Sequence, residues 1–438
     1  MRGGWLWRFT AVIGAAGLGV LGVVQPSVLP TTALGFLLFL GVLAIGQALT
    51  RGSDQAWLPK LVALGMVAKL LGSGLRYLMV VRLYESGDSL RYHRAGIALV
   101  EQWRSLQIPK TTSAGSAGTH LVEQLTALLY LPYVPTLLGG FLIFGTLSFL
   151  GQLGLYAAFR RALPPTGHRT YATLTFFLPS LVFWPASIGK EALILLAIGL
   201  FAVGAAGLLT EYRFRWIVPA SAGILGAAFI RPHIGFLMVA SLGLATLFGR
   251  RPAAAARRVR RWVLIVGAGF VVTSLLTFVG ERYDIRPDRE SLETFTDEVV
   301  RTTGQGGSEI EGEPVGSPAD IPGALLRVLF RPHPFEAHNA QAMLSALETV
   351  AVLAVVASRL PYVWKNVRSM RRHPYLLMAG LFTMGFVVMF SPVLNLGILA
   401  RQRTQAFGFF LVVVVGLGWK HRPALSRPAR DEAELVSG

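Results

Sequence analysis

Asp88 and Tyr92 stand four residues apart in the run Tyr84-Glu85-Ser86-Gly87-Asp88-Ser89-Leu90-Arg91-Tyr92-His93. With a helix starting near Ser86 they share one face, and Asp88 falls in the first turn, where the helix dipole favours an anion. A carboxylate there suits a general base toward a bound hydroxyl, with Tyr92 and His93 beside it as substrate contacts. The plainer alternative is an acid that only caps a surface helix. A second candidate acid lies far along the chain in Arg331-Pro332-His333-Pro334-Phe335-Glu336. His333 and Glu336 are the groups there able to move a proton once their surroundings tune them. The spacing of His333, Glu336 and His338 matches no standard metal site, so no metal and no other cofactor is expected.

Cations make up the other half of the pattern. Pro179, Pro185 and Gly189 interrupt the apolar stretch around Phe183-Trp184, and the next apolar run opens on Lys190-Glu191. A cation at a helix N-terminus opposes the dipole by about 0.3–1 kcal/mol, so Lys190 needs an anion. Freed N–H groups and an ammonium form a phosphate seat there, with Trp184 at its side; the alternative is a lysine that snorkels to the interface. Arg231-Pro232-His233 is a vertex between two short apolar runs. Each arm covers about 22 Å at about 1.5 Å per residue, short of a hydrocarbon core of about 30 Å, so Arg231 and His233 are expected to be recessed. Arg401 and Arg403 follow the helix-breaking Ser391-Pro392, and a guanidinium matches phosphate oxygens with a planar donor fork. Lys190, Arg231, Arg331, Arg401 and Arg403 come from separate elements yet are expected at one depth. Together they would form a cationic pocket for a lipid-linked phosphate or pyrophosphate.

The elements that must position these residues are apolar helices. The chain is 53% hydrophobic and 15% charged, outside the balance of a soluble domain. Runs long enough to cross a bilayer, about 20 residues each, or slightly less where protein covers them, fall at roughly 9–24, 33–49, 57–81, 128–150, 170–188, 191–209, 216–230, 234–248, 262–279, 340–358, 375–394 and 403–419. The expected fold is therefore all-α, a single polytopic membrane domain over 1–438 with about twelve spans. The first run follows Arg2 and Arg8 as a signal peptide would, but with no small-x-small cleavage site it reads as a retained span. Lys69 lies inside the third, which must then turn that side toward protein, away from lipid.

Charge orients the spans. Arg160, Arg161 and Arg169 share one short link, Arg213 and Arg215 another, and six arginines between Arg250 and Arg261 a third; Arg359, Lys365, Arg368, Arg371 and Arg372 share a fourth. Every second link is basic, which places these links, both termini and the basic tail at 420–438 in the cytoplasm. External segments are then 82–127, with the Asp88 motif, and 280–339, which holds 12 of the 23 acidic residues. Within the latter, 302–323 reads as a mobile tether and 321–330 as a short interfacial helix. The net charge of +18 is explained by topology, and because basic residues punctuate apolar runs, no nucleic-acid partner is expected. A chain without cysteine has no disulfide and no thiolate chemistry.

Gly87-Asp88…Tyr92-His93, Pro179-Ser180…Phe183-Trp184…Lys190-Glu191, Arg331-Pro332…Glu336 and Gly397…Arg401-Gln402-Arg403 resemble the motifs of bacterial polytopic surface-polysaccharide polymerases and membrane glycosyltransferases of the GT-C type. The likeness extends loosely over most of the chain. It implies transfer of saccharide from a polyprenyl-(pyro)phosphate carrier at the outer face of the cytoplasmic membrane, with lipid-linked saccharide, membrane lipids and other envelope-assembly proteins as partners. Asp88 lies in the second external segment, whereas GT-C enzymes usually carry an acid in the first; that departure favours the polymerase. Two other classes fit the same residues: a transporter or flippase of an anionic lipid-linked saccharide, and a non-catalytic scaffold of envelope assembly.

Overall fold

The computed structural model describes residues 29–50, 55–85, 87–106, 116–211, 213–249, 289–303, 310, 313–337 and 340–418, with a few positions between 261 and 269. The first expected span at 9–24, most of the span at 262–279, His338 and the tail at 420–438 lie outside the described residues. Those described are helical, with no strand among them. Among the described residues five helices are long and apolar enough to cross a membrane, and a bent pair makes a sixth. Three shorter apolar helices, Phe214–Ile230, Pro232–Phe248 and Pro374–Phe390, accompany them.

We number the helices α1 (Leu29–Thr50), α2 (Leu58–Met79), α3 (Asp88–Arg104), α4 (Ala117–Tyr130), α5 (Leu137–Ala162), α6 (His168–Phe177), α7 (Pro179–Phe183), α8 (Lys190–Glu211), α9 (Ile217–Ile230), α10 (Pro232–Phe248), α11 (Arg289–Thr303), α12 (Ile321–Phe330), α13 (Ala340–Asn366), α14 (Pro374–Phe390), α15 (Leu396–Gln402) and α16 (Thr404–Leu417). At the centre is α8, whose sequence is apolar on every side, as a helix surrounded by protein requires. It packs on α5 through glycines: a Cβ at Gly199 would come within 2.3 Å of the Gly151 carbonyl oxygen. Backbone contact of this kind is what small residues allow where lipid supplies no hydrophobic drive between helices. By contrast little of α13's apolar length is buried.

Several expected spans are divided where the sequence carries a breaker. The stretch 170–188 is split by Pro179 into α6 and α7 and then runs irregularly to Gly189. The run 128–150 is interrupted at Leu131–Thr136, and Thr136 caps α5 by accepting from Gly139 N–H at 3.0 Å. The last span is α15 and α16 meeting at 58°. The run at 57–81 continues through a wide π turn, Val80–Tyr84, a device often found beside functional sites. Lys69 within it is 0% exposed and donates from Nζ to the Leu181 carbonyl at 2.5 Å, satisfying an acceptor left over at the end of α7, where Pro185, four residues on, has no N–H to give.

The described residues of segment 82–127 include α3 and most of α4, with Gly96 against Thr126 and Gly118 against the Ile230 backbone. Part of the expected tether is docked: Val315 N–H donates to Ser391 Oγ at 3.0 Å, and Asp320 accepts from the N–H groups of Gly316 and Ser317. Helix α12 forms over Ile321–Phe330 and buries Val328, Leu329 and Phe330.

Candidate functional site

The first residues of α8, the vertex between α9 and α10, the π turn after α2, the start of α3 and the end of α15 meet at one end of the bundle. Glu191 is the centre of that meeting. Its side chain is 4% exposed and takes a salt bridge from each of two arginines. Arg231 Nη2 reaches Oε1 at 2.7 Å, while Arg401 engages both oxygens, Nε to Oε1 and Nη2 to Oε2, each at 2.8 Å. Arg231 also donates to Gln402 Oε1. The unfavourable Lys190 at the helix start is thus followed directly by the acid that suits the dipole.

Beside Glu191 opens a polar cavity of about 250 Å³ lined by Arg76, Tyr84, Asp88, Ser187, Glu191 and Arg401 among others. Asp88 is the first residue of α3, after Gly87 at φ +129°, and its side chain is 54% exposed with Arg91 at 3.5 Å. Arg76 and Arg401 line the cavity and Arg231 pairs with Glu191 behind it; against the two carboxylates, Glu191 and Asp88, the three guanidiniums leave one positive charge. This is the charge arrangement of an anion seat with an acid beside it.

Tyr92 is buried, stacked under the Arg91 guanidinium at 5.2 Å. Next to it, His93 Nδ1 hydrogen bonds Tyr130 Oη at 2.8 Å; burial first, and the Arg94 charge second, hold its pKa below the ordinary 6.5. His233 packs edge-on against Phe390 with centroids 5.7 Å apart. Trp184 and Phe183 stand over Arg76, whose guanidinium carbon is 5.0 and 5.2 Å from their ring centroids.

The remaining expected cations belong to a second network. Arg403 is 0% exposed and pairs with Glu348 at 3.2 Å, 2% exposed, whose other oxygen accepts from Ser180 N–H and Oγ. Arg403 also donates to Thr349 Oγ1 at 3.1 Å and to the Arg331 carbonyl at 2.8 Å. The Arg331 side chain pairs with Glu336, which also accepts from His333 N–H at 2.8 Å. Burial alone would raise the Glu336 pKa, but the bonds from Arg331 and His333 N–H outweigh it and lower it. Hence Arg231 and Arg401 converge with Asp88 near the start of α8, whereas Arg331, Arg403, His333 and Glu336 tie α12, α13 and α16 together.

Sequence reasoning singled out neither Arg76 nor Glu348 and treated Glu191 only as a neighbour of Lys190. Arg76 lies in the last turn of α2, where it reads as an interfacial cation. Glu348 is one acid in an apolar span, and that rarity was the available signal. Compared with known proteins, the chain matches no family model, no curated protein and no solved structure.

Proposed function

We propose that the chain is an integral membrane glycosyltransferase of polymerase type, with about twelve spans and both termini in the cytoplasm, acting at the outer face of the cytoplasmic membrane on polyprenyl-(pyro)phosphate-linked saccharide. The observation that carries this reading is the polar cavity in which Asp88 faces Arg401 and Arg76 across Glu191. In this scheme the guanidiniums hold the carrier phosphate and stabilise charge on the leaving group. Asp88, open to solvent, takes the proton of the acceptor hydroxyl as the sugar–oxygen bond forms and the bond to the phosphate breaks. Arg231 acts through Glu191, keeping that carboxylate oriented toward Arg401.

The test is incubation of the purified protein in lipid with polyprenyl-pyrophosphate-linked oligosaccharide, followed by mass analysis. Extended or transferred saccharide that is lost in Asp88→Asn and in Arg401→Ala supports the transferase. Unchanged saccharide with Arg401-dependent binding replaces it by the transporter, and single replacements without effect on either replace it by the scaffold.

A further inference from the structure

Arg231 and Arg401 both spend their charge on Glu191, and Arg403 on Glu348. Arg76 is different. Its guanidinium has no salt bridge to a carboxylate among the described residues, and its Nε and Nη1 are buried without a hydrogen-bond partner. Burying such donors unmet is costly, and the cost is recovered when an anion arrives. The aromatic rings of Tyr84, Phe183 and Trp184, 5.0 to 6.0 Å away, hold the guanidinium over the cavity it lines without neutralising it.

Behind those rings lies a second cavity of about 300 Å³, walled by Leu75, Met79 and Leu83 of α2 and its π turn, by Phe183 and Trp184, and by Leu344 of α13. Its wall is mainly apolar, and its polar lining is Ser180, Ser345 and Glu348, the last already paired with Arg403. Leu75, Met79 and Leu83 recur at a spacing of four on the helix face next to that of Arg76, Val80 and Tyr84, which line the polar cavity. One helix therefore divides a charged chamber from a greasy one, and Arg76 with its aromatic wall stands at the division.

We infer that Arg76 is the anion-binding residue for a long-chain lipid phosphate, whose headgroup takes the polar cavity and whose chain takes the apolar one. This rests on the proposed site but needs no glycosyl transfer. A free phosphate would leave the apolar chamber unused, and an uncharged lipid would leave Arg76 unmet; an amphiphilic phosphate answers both.

Binding to the purified full chain is measured by native mass spectrometry with a polyprenyl monophosphate, the corresponding polyprenol, phosphatidylglycerol and inorganic phosphate as probes. The expected result is at least about tenfold tighter binding of polyprenyl phosphate than of polyprenol, of the size that one charge-assisted contact supplies. Arg76→Gln abolishes that preference while keeping polyprenol binding, which also shows that the variant is folded. Arg76→Lys keeps part of it, and Leu75→Trp weakens both lipids together. Competition by phosphatidylglycerol identifies a phospholipid as the source, and its failure to compete identifies the isoprenoid. Equal affinity for the phosphate and the alcohol, an unaltered preference in Arg76→Gln, or competition by inorganic phosphate as strong as by the lipid overturns the inference. Phosphate-selective binding without saccharide transfer leaves this site standing and removes the transferase reading.

Discussion

At the scale of single residues, Glu191 is where stability and the site coincide. It is one buried carboxylate serving two guanidiniums, so Glu191→Gln keeps the shape and strands two charges. Breaking a buried pair from one side costs about 3–5 kcal/mol, and because Arg401 retains some exposure to water, the low end applies. Thermal unfolding in detergent is expected to shift down accordingly, and Arg231→Gln on top of it is expected to cost less than the sum of the two, since the partners share one network. His93 gives a pH signature. Its folded pKa lies below the ordinary 6.5, so below that value the unfolded chain binds more protons than the folded one. Stability then falls as pH drops through 6.5 toward the folded value. Melting curves at about pH 7.5 and about pH 5.5 should differ, and His93→Asn, which cannot titrate, should narrow that difference; a difference of unchanged size would assign the effect to another group.

At the scale of elements, the packing of α5 on α8 is set by backbone contact at Gly151 and Gly199. Gly199→Leu forces the two helices apart, and overpacking of this kind costs about 1–3 kcal/mol; Gly226→Leu, where the nearest atom to a new Cβ is 3.6 Å away, is the milder comparison. A melting temperature that falls for Gly199→Leu and much less for Gly226→Leu is the expected outcome. These contacts were not legible in the sequence, because a glycine in an apolar run carries no sign of what faces it. Breakers were legible: Pro179, Pro232, and Ser391-Pro392 each mark a helix end that the structure contains. What the sequence withheld was pairing. Lys190, Arg231 and Arg401 read as members of one cationic group, yet the acid that organises two of them stood next to Lys190, and only the fold brings it between arginines 40 and 210 positions away. Arg331 and Arg403 looked alike by the same reasoning; the fold gives each its own acid.

At the scale of the whole molecule, charge divides the bundle by end. Lys190 and Glu211 mark opposite ends of α8, about 30 Å apart. Around Glu211 gather Arg161 and Arg215, both also stacked on Trp216, while Arg160 reaches the Leu49 carbonyl. Arg359 and Asn366 hold the carbonyls of Gly418 and Leu417, which end α16. The cavity with Asp88 and Arg76 opens at the Lys190 end. In the proposed orientation, which makes the basic Glu211 end cytoplasmic by the positive-inside rule, the cavity faces out. Because the chain has no cysteine, single substitutions report topology without background. Ser317→Cys, in the docked acidic segment, is expected to react with a membrane-impermeant maleimide applied to intact cells, and Arg371→Cys only after the membrane is opened. The reverse pattern would turn the cavity toward the cytoplasm, where soluble nucleotide-linked donors are at hand, and would remove the reason for choosing a lipid-linked saccharide as the donor. Labelling of both from outside would mean that the basic links do not share one side, and the alternation on which the span count rests would have to be redrawn from the described helices alone.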